Sequence, residues 1–79
     1  MPRYHFNLRD DLDAADEEGM ELPDLAAARE QAITEARQIA CASLKEQGRI
    51  NLSHYIEVTD SGGEPLFRLP FREAMKIIG

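Results

Sequence analysis

The chain has no tryptophan, a single cysteine and no long apolar run. With Cys41 alone, an internal disulfide is excluded, and so are the usual zinc sites built on four cysteines. No apolar stretch approaches the roughly 20 residues that a membrane-spanning helix needs. The first ten residues also lack an apolar stretch of signal-peptide length. We therefore predict a cytoplasmic protein without a membrane segment.

Basic residues are scarce: nine Lys and Arg stand against fifteen Asp and Glu, a net charge of −6. Eight of the acids fall between positions 10 and 24, where there is no base. A chain with this balance and no run of Lys or Arg lacks the electrostatic footprint of a nucleic-acid or membrane-surface binder. The acidic stretch predicts a solvated loop, and the alternative is a contact for a basic partner or a cation. Its spacing does not fit an EF-hand.

The remaining composition is that of a globular protein, with 43% hydrophobic and 30% charged residues over 79 positions. No repeat, linker or low-complexity segment divides the chain, so we predict one domain over residues 1–79. Ordering each residue costs about 1.5 kcal/mol, and a core this small offsets that cost only narrowly. Small domains therefore often add a disulfide, a metal or a second subunit, and the second subunit remains open here.

Three segments alternate between apolar and polar residues, with the period of two that is typical of a half-buried strand. They cover residues 3–9, 55–59 and 66–69, and a short return strand is predicted within 19–22. The sequence D-S-G-G at 60–63 predicts a tight turn, because glycine adopts the positive φ angles that a hairpin needs. The last two segments should therefore form a hairpin.

A long helix is predicted over residues 24–47, with Asp24 as its N-cap and Gly48 as its C-cap. Its apolar residues form an alanine-rich stripe that suits close packing on a sheet: Ala28, Ala32, Ile33, Ala36, Ile39, Ala40 and Leu44. Pro70 can open a short C-terminal helix, on which Phe71, Ala74, Met75 and Ile78 share a face. The expected fold is a two-layer α+β domain, in which the long helix covers one face of a three- to four-stranded, largely antiparallel sheet.

Three stretches of the sequence resemble a family of short uncharacterised bacterial proteins: MPRYHF, DEEGMELPDLAAAREQA and IEVTDSGGEPLFRLPF. Members share an MPRY-x-F first strand, a D-E-E-G-x-E-L-P-D-L helix start and an E-V-T-D-x-x-G hairpin. They often carry Asp-Gly after the first strand, where this chain has Asp10 and Asp11. The family is a domain of unknown function, so the resemblance implies a single domain and transfers no site. A looser similarity is to antitoxin-type small domains.

The sequence offers no catalytic or metal-binding constellation. No serine stands in a G-x-S-x-G frame, and Cys41 falls in mid-helix on the side away from the stripe. His5 is expected to be an ordinary exposed imidazole and His54 a strand-entry residue with a backbone partner. If their strands pair, the two histidines could approach each other, but a metal site would need two more ligands. We therefore predict no enzyme activity, no cofactor and no metal.

The sheet face opposite the helix is the candidate binding surface, although it could also be a plain solvated face. Tyr55 is its one expected aromatic residue, whereas an RNA-binding sheet would display two or three. A protein-interaction module is therefore the first hypothesis, and a nucleic-acid-associated or antitoxin-like regulator is the alternative.

The C-terminal segment carries more apolar residues than one short helix can bury, which favours a homodimer. The predicted partner-binding residues are Phe71, Met75, Ile77, Ile78, Tyr55 and Leu66.

Overall fold

In the computed structural model, which describes residues 1–10, 13–76 and 78, two helices pack with a four-stranded sheet. The elements in chain order are β1 (Arg3–Arg9), β2 (Met20–Glu21), α1 (Leu25–Gln47), β3 (Tyr55–Thr59), β4 (Pro65–Pro70) and α2 (Phe71–Ala74). The α+β fold and each predicted strand are thereby confirmed.

The sheet is antiparallel throughout, in the order β2-β1-β3-β4. Its centre is the pairing of β1 with β3, where Phe6 lies opposite Val58. The D-S-G-G turn joins β3 to β4, and the pairing there carries a bulge beside Thr59. The largely antiparallel arrangement agrees with the prediction from the alternating segments.

Helix α1 has the caps that the sequence predicts. The Asp24 carboxylate accepts a hydrogen bond from the Ala27 N–H at 2.9 Å, which satisfies a free donor of the first turn. Gly48 ends the helix in the left-handed conformation, with φ +72°, and its N–H donates to the Leu44 carbonyl at 3.0 Å. The two caps fix a helix of 23 residues across one sheet face.

A row of alanines, one every four residues, forms the contact between α1 and the sheet: Ala28, Ala32, Ala36 and Ala40 are all buried. They belong to one core with Ile56, Val58 and Leu69, the largest fully buried side chains. Because alanine adds so little bulk, the helix backbone can lie close to the strands.

Leu44, which the predicted stripe included, is 51% exposed. It lies about 40° further around the helix than Ala40, at the edge of the stripe.

Helix α2 is a single turn, shorter than predicted. Met75 is extended, with φ −146°, so the expectation that Met75 and Ile78 continue the helix is wrong. At this end of α2, the Arg37 guanidinium of α1 donates to the Ala74 carbonyl and satisfies a carbonyl that has no partner within the turn. Ile77 lies outside the described residues.

We predict that Ala36→Leu lowers the free energy of unfolding by about 1–3 kcal/mol, because three extra carbons must fit beneath α1. Ala26→Leu makes the same change on the exposed first turn and should stay within about 0.5 kcal/mol of the wild type. Urea denaturation of both variants measures the difference. Equal midpoints for the two variants would contradict the close helix–sheet contact.

Candidate functional site

The sheet face away from α1 has a covered end and an open end. At the covered end, His5, Asn7 and Thr59 are half-buried or buried, and Asp16 from the β1–β2 connection is bonded to this end of β1. Five other residues form what we call the open patch: Arg9, Tyr55, Glu57 and Arg68 extend toward the open end, and Leu66 lies on the edge strand at the bulge next to Thr59. The candidate interaction surface is therefore about half of the face that the sequence predicts.

Asp16 organises the covered end. One carboxylate oxygen accepts from the backbone N–H of Phe6 at 3.1 Å, and the other accepts from Gly19 at 3.1 Å. Burial would raise the pKa of Asp16, but the backbone hydrogen bonds from Phe6, Gly19 and Glu18 outweigh it and lower that pKa below its ordinary value. Asp16 is therefore a structural anion, although it belongs to a stretch predicted to be solvated.

Asn7 links this carboxylate segment to the neighbouring strand. Its side-chain oxygen accepts from the Asp16 N–H at 2.9 Å. Its amide donates to the Glu57 carbonyl and to the Thr59 hydroxyl, both at 3.3 Å. Because Asn7 is only 6% exposed and Thr59 is also buried, neither residue is available to a partner.

His5 does not have the exposed, ordinary imidazole that the sequence suggests. The ring is half-buried, and its Nδ1 lies 2.8 Å from the Asp16 carbonyl oxygen. A carbonyl can only accept, so the proton of the neutral ring sits on Nδ1. In the paired strands His5 lies opposite Thr59, at the far end of β3 from His54, so the two histidines do not come together.

The connection from β1 to β2 also closes the outer edge of β1. Tyr4 pairs with Met20, and Leu8 exchanges two hydrogen bonds with Ala14 at 2.9 and 3.0 Å. Between them, Phe6 donates to Asp16. Gly19 permits this close approach: its φ is +72°, and a Cβ there would lie 2.9 Å from the Tyr4 carbonyl oxygen.

The open patch combines one aromatic, one aliphatic and three charged side chains. The Arg68 guanidinium lies 5.0 Å from the centre of the Tyr55 ring, a cation–π distance. Arg9 pairs with Glu57 at 3.0 Å, and this hydrogen bond raises the pKa of Arg9 despite the opposing effect of burial. Leu66 is 38% exposed. This surface can contact a polypeptide through apolar area and oriented charges.

The predicted partner-binding residues do not form one surface. Tyr55 and Leu66 lie in the open patch, whereas Phe71 is 3% exposed and Met75 packs against the core. Ile78 is 81% exposed, and Ile77 falls outside the described residues. Phe71 and Met75, which the sequence predicts to be surplus apolar residues at the C-terminus, are thus packed inside the protomer, because α2 packs on α1.

Elsewhere, a cleft of about 820 Å³ lies beside the second half of α1 and the loop before β3. Its lining mixes apolar side chains such as Ile39 and Ile50 with charged ones such as Glu46 and Arg49. Ser43, which lines this cleft, donates its hydroxyl to the Arg49 carbonyl at 2.7 Å.

Among residues 1–10, 13–76 and 78, no group of three His, Cys, Asp or Glu side chains could hold a metal ion. Within the same residues, no helix is long and apolar enough to cross a membrane.

The family model for a domain of unknown function, DUF6894, matches residues 3–72, from the first residue of β1 into α2. The chain belongs to the DUF6894 family. No curated protein and no solved structure matches the chain. DUF6894 membership therefore agrees with the family resemblance of the sequence and leaves the function to be argued from the surfaces themselves.

We predict that Asp16→Asn lowers the free energy of unfolding at pH 7 by about 1–3 kcal/mol, because the amide nitrogen must face a backbone N–H. Since the pKa of Asp16 is lowered by folding, its stabilisation is complete above the ordinary Asp pKa and disappears as the pH falls through the lowered value. The gap between wild type and variant should therefore close in acid.

Glu17→Gln removes a charge from an exposed neighbour of Asp16 and is the matched control. Its stability should follow the wild type over the whole pH range. Thermal melts of the three proteins from neutral pH into acid measure the effect. A constant gap for Asp16→Asn at every pH would show that the carboxylate charge is not what stabilises the covered end.

Proposed function

We propose that this DUF6894 protein is a small, non-catalytic, cytoplasmic protein-interaction module that contacts another protein through the open patch. The observation that carries the proposal is the division of the sheet face. One end is closed by Asp16 and its hydrogen bonds, the other presents Tyr55 beside three oriented charges, and Leu66 is exposed on the edge strand β4. Self-association is a separate part of the proposal, in which the partner is a second copy of the chain.

The composition of the patch supports a polypeptide ligand. Tyrosine and arginine are enriched in the centres of protein interfaces, because each supplies a large contact area together with a polar group. Tyr55 and Arg68 are held against each other, so less side-chain entropy is lost when they bind. Leu66 adds apolar area at the edge strand.

The charges disfavour a nucleic acid. Arg9 is already paired with Glu57, which also lies directly opposite Arg68 on the next strand. Net charge is −6, and an approaching phosphate backbone would meet this field at low salt. In addition, the open patch offers a nucleic-acid base one aromatic ring to stack on, that of Tyr55, whereas an RNA-binding sheet displays two or three.

A catalytic role finds little support in the described residues. Two acidic side chains of the stretch between 10 and 24, Asp16 and Glu17, line an open pocket of about 340 Å³ beside His5 and Asp60. The pKa of Asp16 is lowered, and both of its carboxylate oxygens accept hydrogen bonds from backbone N–H groups. General acid–base chemistry needs a proton donor or acceptor within reach of a substrate, and this carboxylate is engaged by the fold.

We predict that the double variant Tyr55→Thr/Leu66→Thr loses about tenfold or more of its partner binding, since the aromatic anchor and the exposed leucine of the patch are both removed. Threonine keeps the strand propensity of both positions. Leu44→Thr is the control, because it makes the same change at a 51% exposed leucine outside the patch. Proteins captured by the tagged variants are quantified by mass spectrometry.

The expected result is a set of proteins retained by the wild type and by Leu44→Thr but lost by the double variant. Identical sets for all three proteins would contradict a role for the open patch. A gel-shift assay with mixed-sequence DNA and RNA tests the other class of partner. Nucleic-acid binding that weakens steeply with added salt would replace this proposal with the nucleic-acid-associated regulator.

A further inference from the structure

The two edges of the sheet differ in whether their outward backbone groups are hydrogen-bonded. At β1, the outward backbone groups of Tyr4, Phe6 and Leu8 are occupied by β2, by the Asp16 carboxylate and by Ala14. At the other end of the strand order, β4 has β3 on one side and no described strand on the other. An unpaired edge strand is a template for pairing with another chain.

The hydrogen-bond pattern identifies which groups of β4 face outward. The Phe71 N–H donates to the His54 carbonyl at 2.8 Å, which extends the β3–β4 pairing by one position. Bonded and non-bonded pairs alternate along an antiparallel ladder, so Leu69 and Phe67 bond to β3. The N–H and C=O of Arg68 and the C=O of Leu66 therefore point away from the sheet.

We propose that β4 pairs antiparallel with β4 of a second copy, about a two-fold axis that passes beside Phe67. In this register the Arg68 N–H of each chain donates to the Leu66 carbonyl of the other. Phe67 lies opposite its own copy in a close, non-hydrogen-bonded pair, where the side chains of the two strands pack best. The two sheets become one sheet of eight strands.

The residues of β4 select this register over its neighbours. Centring the pair on Arg68 would place two guanidinium groups directly opposite each other and would bring Pro70, which has no N–H, against Leu66. Centring it on Leu66 would pair Arg68 with Glu64, whose N–H already donates to the Asp60 carboxylate. The register centred on Phe67 avoids both the facing guanidinium groups and the pairing with Glu64.

The same features limit the assembly to two chains. Pro70 at one end of β4 and the bulge near Pro65 at the other restrict pairing to the residues between them. A two-fold contact uses the same edge of both copies, so each copy's β4 is then occupied. The remaining long edge, at β1, is already filled in each protomer.

Charge does not oppose this contact. The acidic stretch 10–24 includes β2 and the segment that closes β1, at the opposite edge of the sheet from β4. Two strands separate this edge from β4, and salt screens exposed charges beyond about 8 Å at physiological ionic strength. The β4 edge itself contributes one base, Arg68, and no acid.

This inference deepens the self-association part of the proposed function and replaces the C-terminal segment with the β4 edge as the surface involved. Its first test is the mass of the wild type by analytical ultracentrifugation over a concentration series. We expect a rise from the 8.9 kDa of one chain to twice that mass. A mass that stays at one chain up to the highest concentration would overturn self-association, and the open-patch experiment would stand unaffected.

Arg68→Pro tests the edge itself. It removes an N–H that faces away from β3, a position where an edge strand tolerates proline. Because both symmetric hydrogen bonds are lost, the dissociation constant of the dimer should rise at least about tenfold. Arg68→Ala removes the same guanidinium but keeps the N–H, so it is the matched reference, and Arg68→Pro should dimerise at least about tenfold more weakly than Arg68→Ala. Equal dimerisation of Arg68→Pro and Arg68→Ala, with a folded circular-dichroism spectrum, would overturn the β4 interface.

Amide hydrogen exchange of the wild type gives a second measurement that needs no variant. The Arg68 amide faces solvent in the protomer and should become protected as the concentration rises. The Leu69 amide bonds to β3 and should be protected at every concentration. A dimer in which the Arg68 amide exchanges at the same rate as in the protomer would place the contact elsewhere and refute the inference.

Discussion

The carboxylate of Asp16 stands where a neighbouring strand would otherwise meet Phe6, and the surfaces of the molecule depend on it. By accepting the Phe6 and Gly19 N–H groups, it holds residues 13–19 against β1 without a full strand. The same segment positions Asn7, which bonds across to β3. An unpaired donor at this edge would cost stability, and the carboxylate removes that cost while keeping its charge.

A second constraint acts on the opposite face. The alanine row of α1 lets one helix of 23 residues cover the sheet, and α2 completes the core through Phe71 and Ala74. The core is therefore formed mainly by β1, β3, β4 and the two helices. Since α1 covers one face and Asp16 closes one edge, β4 keeps an exposed backbone edge and the open patch keeps part of the other sheet face accessible.

Much of the architecture could be predicted from the sequence, because it follows from local patterns. The caps at Asp24 and Gly48 and the period-two segments are set by neighbouring residues. The limits of α2 could not be predicted in this way, because the side chain that bonds to its last carbonyl, Arg37, lies 37 positions away from Ala74. The periodic pattern of apolar residues in a sequence does not report hydrogen bonds between residues far apart in the chain.

The candidate site was predictable only in part, for the same reason. Alternation predicts Tyr55 and Leu66 on the open face; Tyr55 lies there against Arg68, whereas Leu66 falls at the bulge, which alternation does not predict. Nothing in composition separates Asp16 from the other acids around it, except that a glycine follows three positions later, as in turns closed by an aspartate side chain. The alternation of residues along β1 and β3 also suggests that Asn7 and Thr59 are accessible, whereas the segment around Asp16 buries them.

The acidic stretch and the β4 edge lie at opposite ends of the strand order, and this separation has a consequence for association. A net charge of −6 spread evenly would repel any second acidic chain from every direction. Eight of the fifteen acids fall between residues 10 and 24, and this stretch supplies β2, so the β4 edge lies on the opposite side of the sheet from much of the negative charge. Approach from that side meets the least repulsion, so one end of the molecule favours solubility while the other remains available for contact.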